Sequence, residues 1–185
     1  GSITIAQLLS HRAGLSPHLN LFASAQRAQA TNQSKALHEI KIRGSQRASM
    51  DAHTPVVPLY SALGYLLVGI ILERALCAPL DQLVGDLLCA KLRLRIGSSR
   101  QWRLALPQFE QVVAPTEYVP WRGGTLRGVV HDENAWALFG HGLAGHAGLF
   151  GTAASVAELG CAVVDTIAGT NLVLPPFAAR FCTSR

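Results

Sequence analysis

With 185 residues, 49% of them hydrophobic and only 15% charged, the chain can bury a core of its own and is too apolar to stay disordered. Its net charge of +5 is spread over two loose groups, Arg27, Lys35, Lys41, Arg43 and Arg47, then Lys91, Arg93, Arg95, Arg100 and Arg103. Neither group is interleaved with aromatics on which bases could stack, so a solvated surface and no nucleic-acid partner are expected.

No signal-peptide pattern opens the chain; Gly1-Ser2 leads straight into Ile3-Thr4-Ile5, which reads as a tag remnant followed by mid-domain sequence. Thr4-Ile5-Ala6-Gln7 has the form of a capping box, a hydroxyl for the free N–H groups and a glutamine reaching back. Ile5, Leu8 and Leu9 supply the apolar face of the helix it starts, and Gly14 is expected to end it in the left-handed conformation. Residues 22–54 turn to Ala, Gln, Ser, Lys and Arg without a sustained apolar period. They are read as a polar surface insertion inside a single domain covering residues 1–185.

Leu63, Leu66, Leu67, Ile70 and Ile71 then recur at helical spacing. The apolar run from Leu63 to Leu72 is too short to cross a bilayer and closes on Glu73-Arg74, so a core helix and no membrane span are expected. Pro79 suits the start of the next helix, marked by Leu80, Leu83, Val84, Leu87 and Leu88. Residues 91–150 read as turn-rich and irregular, with glycines at 123, 124, 140, 142, 145, 148 and 151. Thr152 or Ser155 starts a last helix through Val156, Leu159 and Val163 to about Ile167, and residues 175–185 carry no pattern.

Cys77, Cys89, Cys161 and Cys182 are far apart, and the first three lie in apolar segments. They are expected as reduced core residues, with a periplasmic disulfide as the alternative. His131, Asp132, Glu133, His141 and His146 are ligand types, but their spacing fits no metal motif, and neither a metal site nor a cofactor is expected. Asp132 and Asn134 are read instead as hydrogen-bonding their loop backbone, with the glycines supplying positive φ. The glycine cluster lacks the G-K-S/T of a phosphate loop, so tight packing is the better reading.

Three segments in order carry a family resemblance. Ile3-Thr-Ile-Ala-Gln-Leu-Leu-Ser-His-Arg-Ala-Gly-Leu15 resembles the "ITVRQLLTHTSGL" helix of class C β-lactamases and related esterases. Tyr60-Ser-Ala-Leu-Gly-Tyr-Leu-Leu-Val-Gly-Ile-Ile-Leu-Glu-Arg74 resembles their "YSNLGYGLLGEIIER". Ala114 to Arg122, Val130-His-Asp-Glu-Asn-Ala135 and Ala144-Gly-His-Ala-Gly-Leu-Phe150 together resemble the "HDENA…AGHAGLFST" stretch of penicillin-binding-protein-like members. The family is that of the penicillin-recognising serine hydrolases, and the three segments cover about half the chain.

That chemistry needs a nucleophilic serine with a lysine one helical turn later, S-x-x-K, so that the ammonium sits beside the hydroxyl. No serine of this sequence has a lysine three positions on, and the resemblance implies that the family's S-x-x-K lies upstream of Ile3. The second element, Y-x-N, reads Tyr60-Ser61-Ala62: Tyr60 matches the tyrosine that acts as general base or acid, and Ala62 replaces the asparagine. The third, K-T-G or H-T-G, lies beyond the last matched segment; His146-Ala147-Gly148 imitates it but matches an earlier family stretch. The resemblance thus implies Tyr60 as the catalytic residue and Ser61, Trp121 and His146 as substrate contacts. A lone stacking role is the alternative for Trp121 with Arg122.

The fold it implies is mainly α with long loops, the helical lobe of the β-lactamase/transpeptidase-like fold with most of the sheet missing. The apolar face of such a lobe would be exposed and promote self-association. The function implied is acyl transfer from a small-molecule ester, β-lactam or muropeptide-like substrate to serine, in a chain expected to be inactive by itself. A non-catalytic pseudoenzyme module is the alternative, and a metal-dependent hydrolase using the three late histidines a further one.

Overall fold

The computed structural model describes residues 3–23, 37, 40 and 57–170. The polar stretch 22–54 and the tail 175–185 lie almost wholly outside the described residues. Thr4 builds the expected capping box: its hydroxyl accepts from Gln7 N–H at 3.2 Å, and Gln7 Oε1 accepts from Thr4 N–H at 2.9 Å. The helix they start, α1, runs Ile5–Leu9. It ends sooner than Gly14. The Ser10 hydroxyl donates to the Ala6 carbonyl at 2.7 Å, and His11 takes the left-handed position with φ 57°. Arg12 N–H then bonds Gln7 O and His11 N–H bonds Leu8 O, closing a Schellman turn.

The long helix α2 is Ala62–Leu76, and α3 is Leu80–Leu92 with a π turn at Gly85–Cys89. Leu63, Leu66 and Ile70 of α2 are buried with Leu8, Ala13, Leu15 and Leu21 in the main core. Gly64 lets α1 approach, since a Cβ there would lie 3.1 Å from the Leu8 carbonyl oxygen. Full burial of each such leucine contributes about 2 kcal/mol. Pro79 stands at the N-cap of α3, as its position predicts, and Leu80 N–H donates to Glu73 Oε1 at 3.0 Å. Among the described residues, no single helix is long and apolar enough to cross a membrane.

The region from 91 to 151 is ordered, which corrects the expectation of irregular loops. Strand β1 (Ile96–Ser98) is followed by α4 (Ser99–Ala105) and α5 (Phe109–Val112). The hairpin β2 (Pro115–Val119) and β3 (Gly124–Arg127) turns through a 3₁₀ segment, Pro120–Arg122. Helix α6 is Glu133–Phe139, β4 is Leu149–Gly151, and α7 is Ala153–Ala168 capped by Thr152. Strand β1 pairs antiparallel with β4, placing Gly97 opposite Phe150.

The reading of a mainly α lobe with its sheet missing is therefore corrected: the described residues form two small antiparallel sheets among the helices. Those strands leave no pattern in the sequence, for a physical reason. Runs of three to five residues are too short to display a period of two. Glycines inside them, which lower strand propensity, are demanded by close packing: a Cβ on Gly151 would lie 2.8 Å from Ile96 Cγ1.

One other expectation changes, that of the cysteines. Cys89 is buried, and burial pushes its thiol pKa up, but Cys77 and Cys161 are exposed, and all three are free thiols. Cys77 occupies the left-handed residue that ends α2, φ 51°, and its thiol lies 3.7 Å from Arg74 O. On α7 the buried residues are Ser155, Ala162 and Thr166, while Val156, Val164 and Ile167 face out. The Ser155 hydroxyl accepts from Arg95 N–H at 2.9 Å, so the polar face of the helix is the one that anchors it.

Candidate active site

The segment before α2 is fastened to the loop after α1. Ser61 is 3% exposed; its hydroxyl donates to Ser16 O at 2.6 Å and its N–H to His11 Nδ1 at 3.2 Å. Leu59 N–H donates to His11 O, and Ala62 N–H to Pro17 O. Ser61 is thus a structural brace with its hydroxyl committed, rather than an open substrate contact. Tyr60, between these anchored neighbours, is 69% exposed, and its ring lies 4.9 Å from that of His11.

The other sequence-nominated residues gather at the far end of the same loop. Trp121, on the 3₁₀ turn, stacks on Phe22 at 5.8 Å and meets Trp136 edge-on at 5.7 Å. Arg122 lies 4.4 Å over the Trp136 ring and donates to the carbonyls of Val130 (2.7 Å) and His131 (2.9 Å). Burial lowers its guanidinium pKa, opposed by Glu133 and Asp132. The Trp121–Arg122 pair is therefore held in an aromatic cluster, with Trp121 still partly open to solvent.

Asp132 and Asn134 bond loop backbone as their types predict. Asp132 caps α6 through Ala135 N–H at 2.8 Å and meets His146 Nε2 at 3.0 Å. Burial pulls the Asp132 pKa up, but the hydrogen bonds from His146 and Ala135 and the charges of His146 and His18 outweigh it, leaving the pKa below the ordinary carboxylate value. Asn134 is 1% exposed; its Oδ1 accepts from Phe22 N–H at 3.1 Å and its Nδ2 donates to Leu19 O at 2.8 Å. The loop from Ser10 to Ala23 thereby joins Tyr60 and Ser61 at one end to Trp121 and the Asp132–His146 pair at the other.

His146 also lines a cavity of about 500 Å³ whose other walls include Val68, Leu72, Leu80, Val84 and Leu143. Its Nδ1 is buried without a hydrogen-bond partner among the described residues. The three late histidines take separate partners: His131 with Glu117, His146 with Asp132, and His141 with Ser99. Among the described residues no three His, Cys, Asp or Glu side chains group as metal ligands.

Two arrangements were not visible in the sequence. His11 is one, since its partners lie about fifty residues away in the chain. The Ser99–His141 pair is the other, with Ser99 Oγ 3.2 Å from His141 Nδ1. It resembles a nucleophile and its base, yet Ser99 is 0% exposed and its hydroxyl proton goes to Gly128 O at 2.5 Å. Arg103 Nε donates to Ser99 Oγ at 3.2 Å and its Nη2 to Gly128 O at 3.3 Å, so the group braces α4 against the turn after β3 and has no free proton to surrender.

A family model described as Beta-lactamase matches residues 1–180. The chain is 26% identical over 178 residues to "N-acetylmuramyl-L-alanine amidase" of Bacillus subtilis (strain 168), covering 85% of this chain and 37% of that protein. Among solved structures it is similar to simvastatin synthase (LovD) from Aspergillus terreus, with 21% identity and a TM-score of 0.53. That likeness covers 97% of this chain and 42% of the other, so it reaches the strands as well as the helices and again corrects the helical-lobe reading.

Proposed function

The chain belongs to the beta-lactamase family, and from that premise we propose that it carries the tyrosine-bearing part of a serine acyl hydrolase. Its substrates are small-molecule esters, β-lactams or muropeptide-like amides, and the last class is favoured by the amidase among its relatives. The observation that supports this reading is Tyr60, held exposed between neighbours pinned to the 10–17 loop. Tyr60 relays the proton while a serine forms the acyl intermediate that water then cleaves. The serine and its lysine come from sequence outside these 185 residues, so the chain by itself does not turn over. Trp121 flanks the substrate, and Asp132–His146 orders the loop that faces it.

Incubation with a fluorescent penicillin and a fluorophosphonate, read by intact mass, tests the reading. No adduct is expected on the 185 residues, and a stoichiometric adduct on the Ser-x-x-Lys serine of an N-terminally extended form, slowed by Tyr60→Phe. An adduct on the short chain would place the nucleophile within it. No adduct on either would support the second reading, a non-catalytic module, which Ala62 in place of the family's asparagine favours. Self-association belongs to the same proposal: Val156, Val164 and Ile167 form an exposed apolar stripe on α7. Sedimentation should show a concentration-dependent dimer that Val164→Lys abolishes; a monomer at all concentrations would remove it.

A further inference from the structure

His11 touches the Tyr60 segment at three places. Its carbonyl accepts from Leu59 N–H at 3.1 Å and its Nδ1 from Ser61 N–H at 3.2 Å, so both chain neighbours of Tyr60 are tied to one residue. Its ring then packs against Tyr60 at 4.9 Å, tilted by 47°. The imidazole is itself held: Tyr65 lies 5.2 Å from it, and Tyr65 Oη donates to Leu9 O at 3.0 Å. Because Nδ1 accepts, the neutral ring carries its hydrogen on Nε2. His11 also occupies the left-handed position of the α1 Schellman turn, φ 57°, where glycine is the usual residue. Such strain in a non-glycine residue persists only where the surroundings over-determine it, and it concentrates at functional sites.

We infer that His11 is the positioning residue for Tyr60, fixing the phenol in one orientation at the start of α2. Its relevance to chemistry rests on Tyr60 as the proton carrier; the ordering of the ring does not. Without His11, a tyrosine 69% exposed packs against no other ring among the described residues and is free to sample its rotamers.

The test is nuclear magnetic resonance on the 185-residue chain with labelled tyrosine, of which there are three. In the parent, Tyr60 should show the Hα–Hβ couplings of a single χ1 rotamer and cross-peaks to the His11 ring. His11→Asn tolerates the left-handed backbone and keeps a side-chain acceptor but has no ring. In it the Tyr60 couplings should fall to rotamer-averaged values. Tyr118, 68% exposed on the β2–β3 hairpin, should keep its own. His11→Gly relieves the backbone strain and so preserves the turn, and the same loss at Tyr60 is expected. Averaged couplings at Tyr60 in the parent, or a single rotamer surviving in either variant, would overturn the inference. An unreactive extended protein with an ordered Tyr60 would sink the acyl-hydrolase reading alone, whereas a reactive one with an averaged Tyr60 would sink the positioning role alone.

Discussion

Gly69 of α2 and Gly145 of the loop before β4 meet backbone to backbone: a Cβ on Gly69 would lie 2.7 Å from Gly145 N, and one on Gly145 would strike the Tyr65 carbonyl oxygen. The glycine-rich stretch is thus a packing device that lets a loop lie directly on a helix. It brings Ala144 and Leu143 to the core and His146 to the wall of the cavity.

Substitution at this crossing should be costly where substitution in open helix is not. Gly145→Ala forces two backbones apart and is expected to cost about 3 kcal/mol or more. Gly160, in the middle of α7, has nothing within 4 Å of its added Cβ. Gly160→Ala should raise stability by about 0.5–1 kcal/mol through helix propensity alone. Urea denaturation of the two variants checks the contrast, and equal midpoints would refute it.

Asn134 closes the 19–22 loop onto α6, and its amide serves two backbone groups that lie 112 and 115 residues away. Asn134→Ala removes an amide that is 1% exposed and leaves Phe22 N–H and Leu19 O without it, at an expected cost of about 3 kcal/mol. Asn134→Asp retains the acceptor for Phe22 N–H but loses the donor to Leu19 O, so it too should destabilise. A change within about 0.5 kcal/mol in either variant would show that the clamp carries little.

Asp132 makes stability depend on acid. Its folded pKa lies below the ordinary value near 3.9, so the unfolded chain takes up a proton first as pH falls. The stabilisation is complete above about pH 4 and is lost as pH drops through the depressed folded value. Asp132→Asn keeps a good N-cap but gives up the charged bond with His146. The stability gap between parent and variant, read by denaturant midpoint, should be widest near neutrality and close in acid. A gap constant with pH would contradict this.

His141 acts at milder pH. Burial first, then the charge of Arg103, lower its pKa, with Glu110 opposing. Below about pH 6.5 the unfolded state therefore binds a proton more readily than the folded one, and stability declines until the folded group also protonates. His141→Gln should flatten melting temperature against pH in that window. A slope equal to the parent's would assign the effect to other groups.

The chain's local order is legible in its residues. Thr4 and Gln7 define the first helix start, Thr152 caps the last, and Leu63, Leu66 and Ile70 mark the buried face of α2, because interactions three or four residues apart leave a period in the sequence. The motifs around Tyr60 and from His131 to Phe150 likewise sufficed to identify the family that the match over residues 1–180 shows. Tertiary structure alone decided the rest. His11 ends α1 in place of Gly14 because Ser10 and the Tyr60 segment, fifty residues on, satisfy it there. Cys77 and Cys161 face outward although they sit in apolar sequence, and Ser61 is spent on Ser16 O. Three-residue strands such as β1 and β4 exist only because each finds the other. Contacts across such separations are set by how the elements close on one another, and closure leaves no period for a sequence to display.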